Sequence, residues 1–173
     1  MNDKIFHFRI LLDQSEEVFR DIEIKSTDTF EEFHSAIVEA FDFSGDEIAS
    51  FYISNEDWDK GEEITQMDMS GMGDEGIKTM KETALEEMLF EEEQKLLYLY
   101  DFMRMWIFFV ELVSISDPKA DKSYPKVILS VGDTPDEQSK ELVDSFQIDF
   151  DEDFEDPSED EGFENIDDYD EII

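Results

Sequence analysis

Residues 29–41 read TFEEFHSAIVEAF, and this stretch decides the fold of the N-terminal half of the chain. Thr29 is followed three residues later by Glu32, a capping box that marks the start of a helix. Large apolar side chains then recur at intervals of three and four residues and form one stripe along that helix: Phe30, Phe33, Ile37 and Phe41. A helix with one apolar stripe has to bury it, and a sheet face is the natural cover.

Two segments before the predicted helix alternate apolar and polar residues. Residues 5–12 read IFHFRILL and residues 18–25 read VFRDIEIK, with a charged turn between them. This period of two predicts a β-hairpin with one buried face and one wet face. Residues 48–53 predict a third strand after the helix, so the N-terminal part is a ββαβ unit with the helix across one sheet face.

The following part of the chain predicts one short helix and three strands. Residues 54–80 contain four glycines and four methionines and predict a long loop. Thr83 with Glu86 forms a second capping box. Three apolar segments then predict strands, at 96–102, 105–115 and 126–131. The predicted fold class is α+β: a β-grasp-like ββαβ unit extended by a short helix and three more strands, with an acidic C-terminal tail.

The charge balance is the most unusual property of the composition. The 173 residues include 50 Asp and Glu against 13 Lys and Arg, a formal net charge of −37. Binding to nucleic-acid phosphate or to an anionic membrane normally requires a cationic patch, so we expect no direct nucleic-acid contact and no membrane contact. A strongly negative surface instead favours a basic protein surface as the partner.

The absence of cysteine and of long apolar segments excludes further classes of site and of protein. The chain has no cysteine, which excludes disulfides, thiolate metal sites and cysteine nucleophiles. The N-terminus does not resemble a signal peptide, and the longest apolar run without a charge, Met105 to Val110, is too short to cross a bilayer. We therefore expect a cytoplasmic protein.

The composition changes after Gly132. From residue 141 to the end there are 16 acids and no Lys or Arg. Because such charge opposes compaction, we predict a folded domain over 1–132 and an acidic appendage over 133–173. The start of the appendage carries helix-start signals, with Thr at 134, Pro at 135 and Glu at 137, which predict a helix at about 135–147 followed by disorder. The sequence leaves open whether 133–150 docks on the domain.

Few residues stand out as candidates for chemistry. The two histidines, His7 and His34, fit structural roles better than a shared metal site, and no catalytic residue, metal site or cofactor is predicted. Asp101 lies between aromatic strand residues, which makes Tyr100, Asp101 and Trp106 the candidate binding residues of the domain. The alternative role for Asp101 is to accept hydrogen bonds from backbone N–H groups at the hairpin turn.

The order of these features resembles a known family. The strand pair runs into Ser-Thr-Asp-Thr-Phe-Glu-Glu-Phe-His at 26–34, Ala-Phe-Asp-Phe follows at 40–43, and Tyr-Asp-Phe at 100–102 precedes Trp106. This pattern resembles the plasmid pRiA4b ORF-3-like family over roughly residues 4–131, with the acidic tail outside the resemblance. Members usually carry Gly and Asp after Tyr-Asp-Phe, where this chain has Met103 and Arg104, so its turn must differ.

The resemblance implies a compact α+β domain of bacterial proteins, some of them linked to plasmids or mobile elements. It implies no catalytic residues, because the family has no agreed ones. From the residues, we expect a non-enzymatic protein-interaction module whose acidic tail engages a basic partner through aromatic anchors: Phe154, Phe163 and Tyr169. Two alternatives remain, an acidic decoy that mimics nucleic acid and a carboxylate-dependent enzyme centred near Asp101. The partner's identity and the oligomeric state stay open.

Overall fold

The computed structural model describes residues 3–14, 16–66, 77–140 and 142. The chain divides into a compact unit, Met1–Lys140, and a second unit, Glu141–Ile173, of which only residue 142 is described. The compact unit thus extends past residue 132, where the sequence predicted the domain to end. No helix within the described residues is long and apolar enough to span a membrane.

The compact unit has an α+β fold built around one eight-stranded sheet. The elements in chain order are β1 (Ile5–Leu12), β2 (Phe19–Lys25), α1 (Phe30–Ala40), β3 (Ala49–Ser54), β4 (Glu63–Thr65), β5 (Lys78–Thr79), α2 (Leu85–Met88), β6 (Lys95–Tyr100), β7 (Trp106–Ser116) and β8 (Lys126–Val131). The strand order is β5-β4-β3-β6-β7-β1-β2-β8. Neighbouring strands are antiparallel except β4 and β5, which are parallel.

The long elements and the short helix α2 agree with the sequence pattern, whereas the strands β4 and β5 were not predicted. The predicted hairpin is β1 paired with β2, and β3 follows α1, so the ββαβ order is present. In the sheet, however, β6 and β7 lie between β1 and β3. The two strands β4 and β5 lie within the predicted 54–80 loop. Their lengths of three and two residues are too short to produce a detectable alternation.

The start of α1 follows the capping box predicted from the sequence. The Thr29 hydroxyl accepts a hydrogen bond from the Glu32 backbone N–H at 3.2 Å, and the Glu32 carboxylate accepts one from the Thr29 backbone N–H at 2.9 Å. These contacts satisfy two backbone donors that a helix start leaves unpaired. The apolar stripe of the helix then faces the sheet, and all four of its members are fully buried: Phe30, Phe33, Ile37 and Phe41.

Phe33 is the centre of the packing between α1 and the sheet. Its ring stacks on Phe8 of β1 at a centroid distance of 4.3 Å and on Phe51 of β3 at 5.4 Å. Tyr98 and Phe108 come from the two strands between and pack 5.3 Å apart beneath the helix. Aromatic pairs of this kind add to the free energy gained by area burial alone.

Arg20 points toward the core and ties three elements together. Its guanidinium donates hydrogen bonds to the backbone oxygens of Ala40 at 3.1 Å, Val131 at 2.9 Å and Gly132 at 3.2 Å. Gly132 has a φ of +82°, and a Cβ there would lie 2.3 Å from the Glu17 backbone oxygen. The ends of α1 and β8 are therefore fixed to β2 by one buried cation and one obligatory glycine.

The predicted cap of α2 is wrong by one residue. The N-cap is Ala84, whose backbone N–H donates to the Glu87 carboxylate at 2.9 Å. Thr83 is buried, and its carbonyl accepts a hydrogen bond from the Phe30 backbone N–H at 3.0 Å. A β-bridge between Thr29 and Ala84 holds this segment against the start of α1, and this long-range pairing sets where α2 begins.

We expect Phe33→Ala to destabilise the domain by about 3–5 kcal/mol, because the substitution opens a cavity in a fully buried aromatic cluster. The matched control is Phe90→Ala, since the Phe90 side chain is 72% exposed and its loss removes little packing. Urea unfolding followed by tryptophan fluorescence measures both variants. Equal stability of the two variants would contradict the central role of Phe33.

Candidate functional site

The β6–β7 turn brings together the three residues predicted for a site in the folded domain. Tyr100 ends β6 and Trp106 begins β7, and the two residues are direct partners across the strands. Asp101 follows Tyr100 in the turn. All three side chains are buried, and Phe43 packs against both rings at a centroid distance of 5.3 Å. The sequence therefore identified residues that do converge in space.

Asp101 organises the turn. Its φ of 67° is a left-handed conformation that Asp adopts more readily than most residues. Its Oδ1 accepts hydrogen bonds from the backbone N–H groups of Met103 at 3.0 Å and Arg104 at 3.1 Å, and its Oδ2 lies 3.6 Å from the Arg104 guanidinium. The residue thus accepts backbone hydrogen bonds at the hairpin turn, which is the structural role considered for it from the sequence.

Residues 133–140 close this site from outside. The Tyr100 hydroxyl donates a hydrogen bond to the Glu137 carboxylate at 2.7 Å, and the Ser44 backbone N–H donates to the same carboxylate at 2.7 Å. The Trp106 indole N–H donates to the backbone oxygen of Glu137 at 3.1 Å. Burial and the neighbouring Glu137 carboxylate raise the pKa of Tyr100. The polar atoms of the two aromatic residues are therefore satisfied within the chain.

Lys140 completes this closure. Its ammonium donates a hydrogen bond to the Met105 backbone oxygen and lies 5.3 Å from the centroid of the Trp106 ring. Burial lowers the pKa of Lys140. The Trp106 ring is therefore covered from this side by a residue of the same chain.

The helix predicted over about 135–147 is not formed in residues 135–140. The Asp136 backbone oxygen accepts a hydrogen bond from the Ser139 N–H at 2.9 Å, which closes a single turn. Glu137, the residue expected to reach back to the start of the helix, binds Ser44 and Tyr100 instead. Sequence reasoning missed this role because one glutamate in an acidic run carries no local signal of a distant partner. Apart from residue 142, the rest of the predicted helix lies outside the described residues.

A second polar cluster lies on the face of the β1–β2 hairpin that points away from the core. Asp21 has a buried side chain and accepts hydrogen bonds from Arg9 at 2.9 and 3.0 Å. The His7 Nε2 lies 2.8 Å from the Asp21 Oδ2, the same oxygen that accepts the 3.0 Å hydrogen bond from Arg9. Burial opposes ionisation of this carboxyl, but the contacts with Arg9 and His7 outweigh it and lower the pKa of Asp21. The alternation of β1 and β2 could have suggested this cluster, because it places these residues on the wet face of one hairpin.

The two histidines serve separate structures. His34 is buried on α1, with its Nδ1 2.6 Å from the Tyr98 hydroxyl, and burial lowers its pKa. His7 belongs to the Asp21 cluster on the wet face of the hairpin. Within residues 3–14, 16–66 and 77–140, no group of three or more His, Asp or Glu side chains is arranged to hold a metal ion. The aromatic residues predicted as anchors in the tail, Phe154, Phe163 and Tyr169, lie outside the described residues.

Comparison with known proteins supports a family and a fold. A family model described as plasmid pRiA4b ORF-3-like protein matches residues 4–171. The match includes the acidic tail, so the expectation that the tail lies outside the family resemblance was wrong. A crystal structure of a protein of unknown function, MM3350 from Methanosarcina mazei Go1, is similar with a TM-score of 0.67. At 21% identity over 82% of this chain and 76% of that chain, this similarity shows the fold alone. No curated protein matches the chain.

The Asp21 cluster predicts a specific pH dependence of stability. Because the folded-state pKa of Asp21 is lowered, its contribution is present above the ordinary value of 3.8 and is lost as pH falls through the folded-state value. Asp21→Asn should therefore lower the free energy of unfolding by about 2 kcal/mol at pH 7, with a smaller difference from wild type near pH 2. Urea titrations from pH 7 to pH 2 measure this.

The matched control for this prediction is Asp117→Asn. Asp117 also contacts a cation, Lys4 at 2.7 Å, but its side chain is 81% exposed, so solvent screens the pair. We expect Asp117→Asn to have the same free energy of unfolding as wild type at every pH. An Asp21→Asn difference that stays constant from pH 7 to pH 2 would show that the carboxylate charge does not stabilise the fold.

Proposed function

The chain belongs to the plasmid pRiA4b ORF-3-like family, and from this premise we propose that it is a non-enzymatic protein-interaction module. In this proposal its acidic surface and acidic tail engage a basic surface on a partner protein. The alternatives are an acidic decoy that mimics nucleic acid and a carboxylate-dependent enzyme centred near Asp101. The observation that carries the proposal is the excess of carboxylates over the cations available to neutralise them.

Most described carboxylates have no cationic partner. The described residues contain 31 Asp and Glu, and ion pairs within 4.0 Å involve seven of them: Asp21, Glu23, Glu56, Glu62, Asp101, Glu111 and Asp117. The others leave a negative potential that a basic partner would neutralise. Such a potential speeds association with oppositely charged surfaces and depends strongly on salt.

Three cations are engaged by acceptors of the chain itself, which leaves them less able to offset this potential. Arg20 is buried and donates to backbone oxygens, and Lys140 donates to a backbone oxygen beside Trp106. Arg9 is committed to the Asp21 carboxylate. The Tyr100 hydroxyl and the Asp101 Oδ1 are likewise hydrogen-bonded within the chain, while the Asp101 Oδ2 lies 3.6 Å from the Arg104 guanidinium without a hydrogen bond. This use of the predicted site by the fold itself favours an interaction module over an enzyme.

The tail supplies the second half of the proposal. It carries 16 acids and no Lys or Arg from residue 141 onward, with Phe154, Phe163 and Tyr169 set among the acids. Acidic residues would accelerate the encounter with a basic partner, and the aromatic rings would slow dissociation by burying apolar area or by packing on cations. The two kinds of residue therefore have separable kinetic effects.

Stopped-flow kinetics with a basic amphipathic peptide of Lys and Leu tests this proposal. We expect the association rate to fall steeply from 0.05 to 0.5 M NaCl. The triple variant Phe154→Ala, Phe163→Ala, Tyr169→Ala should keep that association rate and dissociate about tenfold faster. The matched control replaces two exposed apolar side chains of the folded unit, Phe90→Ala and Met103→Ala, and should leave both rates unchanged.

Two outcomes would overturn the proposal. If the triple variant and wild type have the same dissociation rate, the three aromatic residues do not anchor the partner. A nuclease assay on duplex DNA tests the decoy alternative. If the chain slows digestion and excess nuclease restores it, the decoy alternative is supported, because only a decoy occupies the nucleic-acid site of that enzyme.

A further inference from the structure

Residues 133–140 form a strap that runs from the end of β8 to the Tyr100–Trp106 site without joining the sheet. None of these residues is buried, and none lies in a helix or a strand. The strap makes no backbone–backbone hydrogen bond with the rest of the described chain, since the Ser139 N–H donates within the strap, to the Asp136 oxygen. Its attachment therefore depends on a few side-chain contacts, and segments with so few buried contacts open locally at low cost in free energy.

The main attachment point of the strap is Glu137. Its carboxylate accepts hydrogen bonds from the Ser44 backbone N–H at 2.7 Å, the Ser44 hydroxyl at 3.0 Å and the Tyr100 hydroxyl at 2.7 Å. The Trp106 indole N–H donates to the Glu137 backbone oxygen at 3.1 Å. All of these donors are neutral, and Glu137 makes no ion pair with a described cation.

A cation from another molecule would compete with these donors for Glu137. A Lys or Arg side chain attracts a carboxylate with a full charge, whereas the neutral donors of the site offer only dipoles. Asp133 and Asp136 are exposed on the same strap and add to the attraction. A basic partner that binds the strap would therefore weaken the contacts that hold it in place.

Lys140 makes closure of the strap less favourable than its contacts suggest. Its ammonium donates to the Met105 backbone oxygen and lies 5.3 Å from the centroid of the Trp106 ring. Burial lowers the pKa of Lys140, because closure of the strap takes water away from the ammonium. Opening returns this charge to water, which offsets part of the loss of the Glu137 contacts.

The other end of the strap is fixed. Arg20 binds the backbone oxygens of Val131 and Gly132, and Gly132 turns the chain with a φ of +82°. The end of β8 therefore stays attached to the core when the strap opens. Release involves residues 133–140 and leaves the sheet intact, which distinguishes it from unfolding of the domain.

An aromatic cluster lies beneath the strap. Phe43 packs against Tyr100 and Trp106 at centroid distances of 5.3 Å, and the three residues are 7%, 0% and 4% exposed. Lys140 covers the Trp106 ring from the strap side. Tyr and Trp side chains are frequent anchors of protein interfaces, so an opened strap would uncover a surface suited to an apolar side chain of a partner.

We infer that a basic amphipathic partner releases the strap by pairing with Glu137 and packs an apolar side chain on the uncovered Trp106 ring beside Tyr100. The inference rests on the proposed function, because release needs a basic partner. It adds to that function a contact surface within the folded unit, one that the free chain keeps covered.

Solvent exchange of the Trp106 indole N–H, measured by NMR, reports the state of the strap, because this group donates to the Glu137 backbone oxygen. The chain has two tryptophans, so Trp58→Phe assigns the signal. Glu137→Gln replaces one acceptor oxygen with an amide donor, and we expect about tenfold faster exchange. The matched control, Asp133→Asn, removes the same charge from an exposed residue of the strap and should exchange at the wild-type rate.

Titration of the full chain with the basic peptide of Lys and Leu tests release by a partner. We expect the Trp106 exchange rate to rise about tenfold at saturation, with nuclear Overhauser effects from Leu methyl groups to the Trp106 ring. Ser44→Ala removes one donor to Glu137 without changing a charge, and it should bind the peptide about fivefold more tightly because the strap opens more readily. The matched control is Ser54→Ala, whose hydroxyl also donates one hydrogen bond, to the Asp59 backbone oxygen, at the far end of β3.

Three results would contradict the inference. Equal exchange rates in Glu137→Gln and wild type would show that Glu137 does not hold the strap. Peptide binding that leaves the Trp106 exchange rate unchanged would show that the strap stays closed. Equal peptide affinities of Ser44→Ala and Ser54→Ala would show that closure does not oppose binding.

These results are separable from those that decide the proposed function. Salt-dependent peptide binding with a closed strap would leave the proposed function in place and refute the inference. Faster Trp106 exchange on peptide binding, in a chain whose triple tail variant dissociates no faster than wild type, would support the strap and refute the tail anchors. The first result places the contact outside the strap site, and the second places it there.

Discussion

The stacking of Phe33 between Phe8 and Phe51 is the contact on which the rest of the fold depends. It joins α1 to β1 and β3, which are separated in the sheet by two other strands. A single helical side chain thus fixes both halves of the sheet to one helix face. The position of the β6–β7 turn, and with it the Tyr100–Trp106 pair, follows from this arrangement because β6 and β7 fill the space between.

The described polar groups fall into two sets, one hydrogen-bonded near the core and one of carboxylates without cationic partners. Several polar groups near the core are hydrogen-bonded within the chain: the Asp101 Oδ1 holds a turn, Glu137 binds Tyr100 and Ser44, and Arg20 ties the ends of α1 and β8 to β2. Most other described carboxylates are unpaired by any cation and contribute to an excess negative charge. The contacts of the candidate site residues are therefore structural ones, and under the proposed function it is the excess charge that engages a partner.

The sequence predicted the elements whose signal is local. The capping box of Thr29, the apolar stripe of α1 and the alternation of the β1–β2 hairpin each lie within one short stretch. The elements that it missed depend on distant partners. Ala84 caps α2 because the chain pairs with Thr29, and Glu137 leaves the helix pattern because Ser44 and Tyr100 bind it. Tyr100, Asp101 and Trp106 lie together at the β6–β7 turn. The sequence left open whether residues 133–150 dock on the domain, and no local pattern indicated that residues 133–140 would close over these three.

The most direct test of the proposed function compares two variants with the same net charge. One variant replaces five acids of the tail with the matching amides, at Asp151, Glu152, Asp153, Glu155 and Asp156. The other neutralises five exposed acids of the folded unit, Glu31, Glu39, Asp42, Asp57 and Glu82. Titration with the basic peptide should show roughly tenfold weaker binding for the tail variant and a much smaller loss for the other. Equal losses would mean that total charge, and not the tail, engages the partner, which contradicts the account.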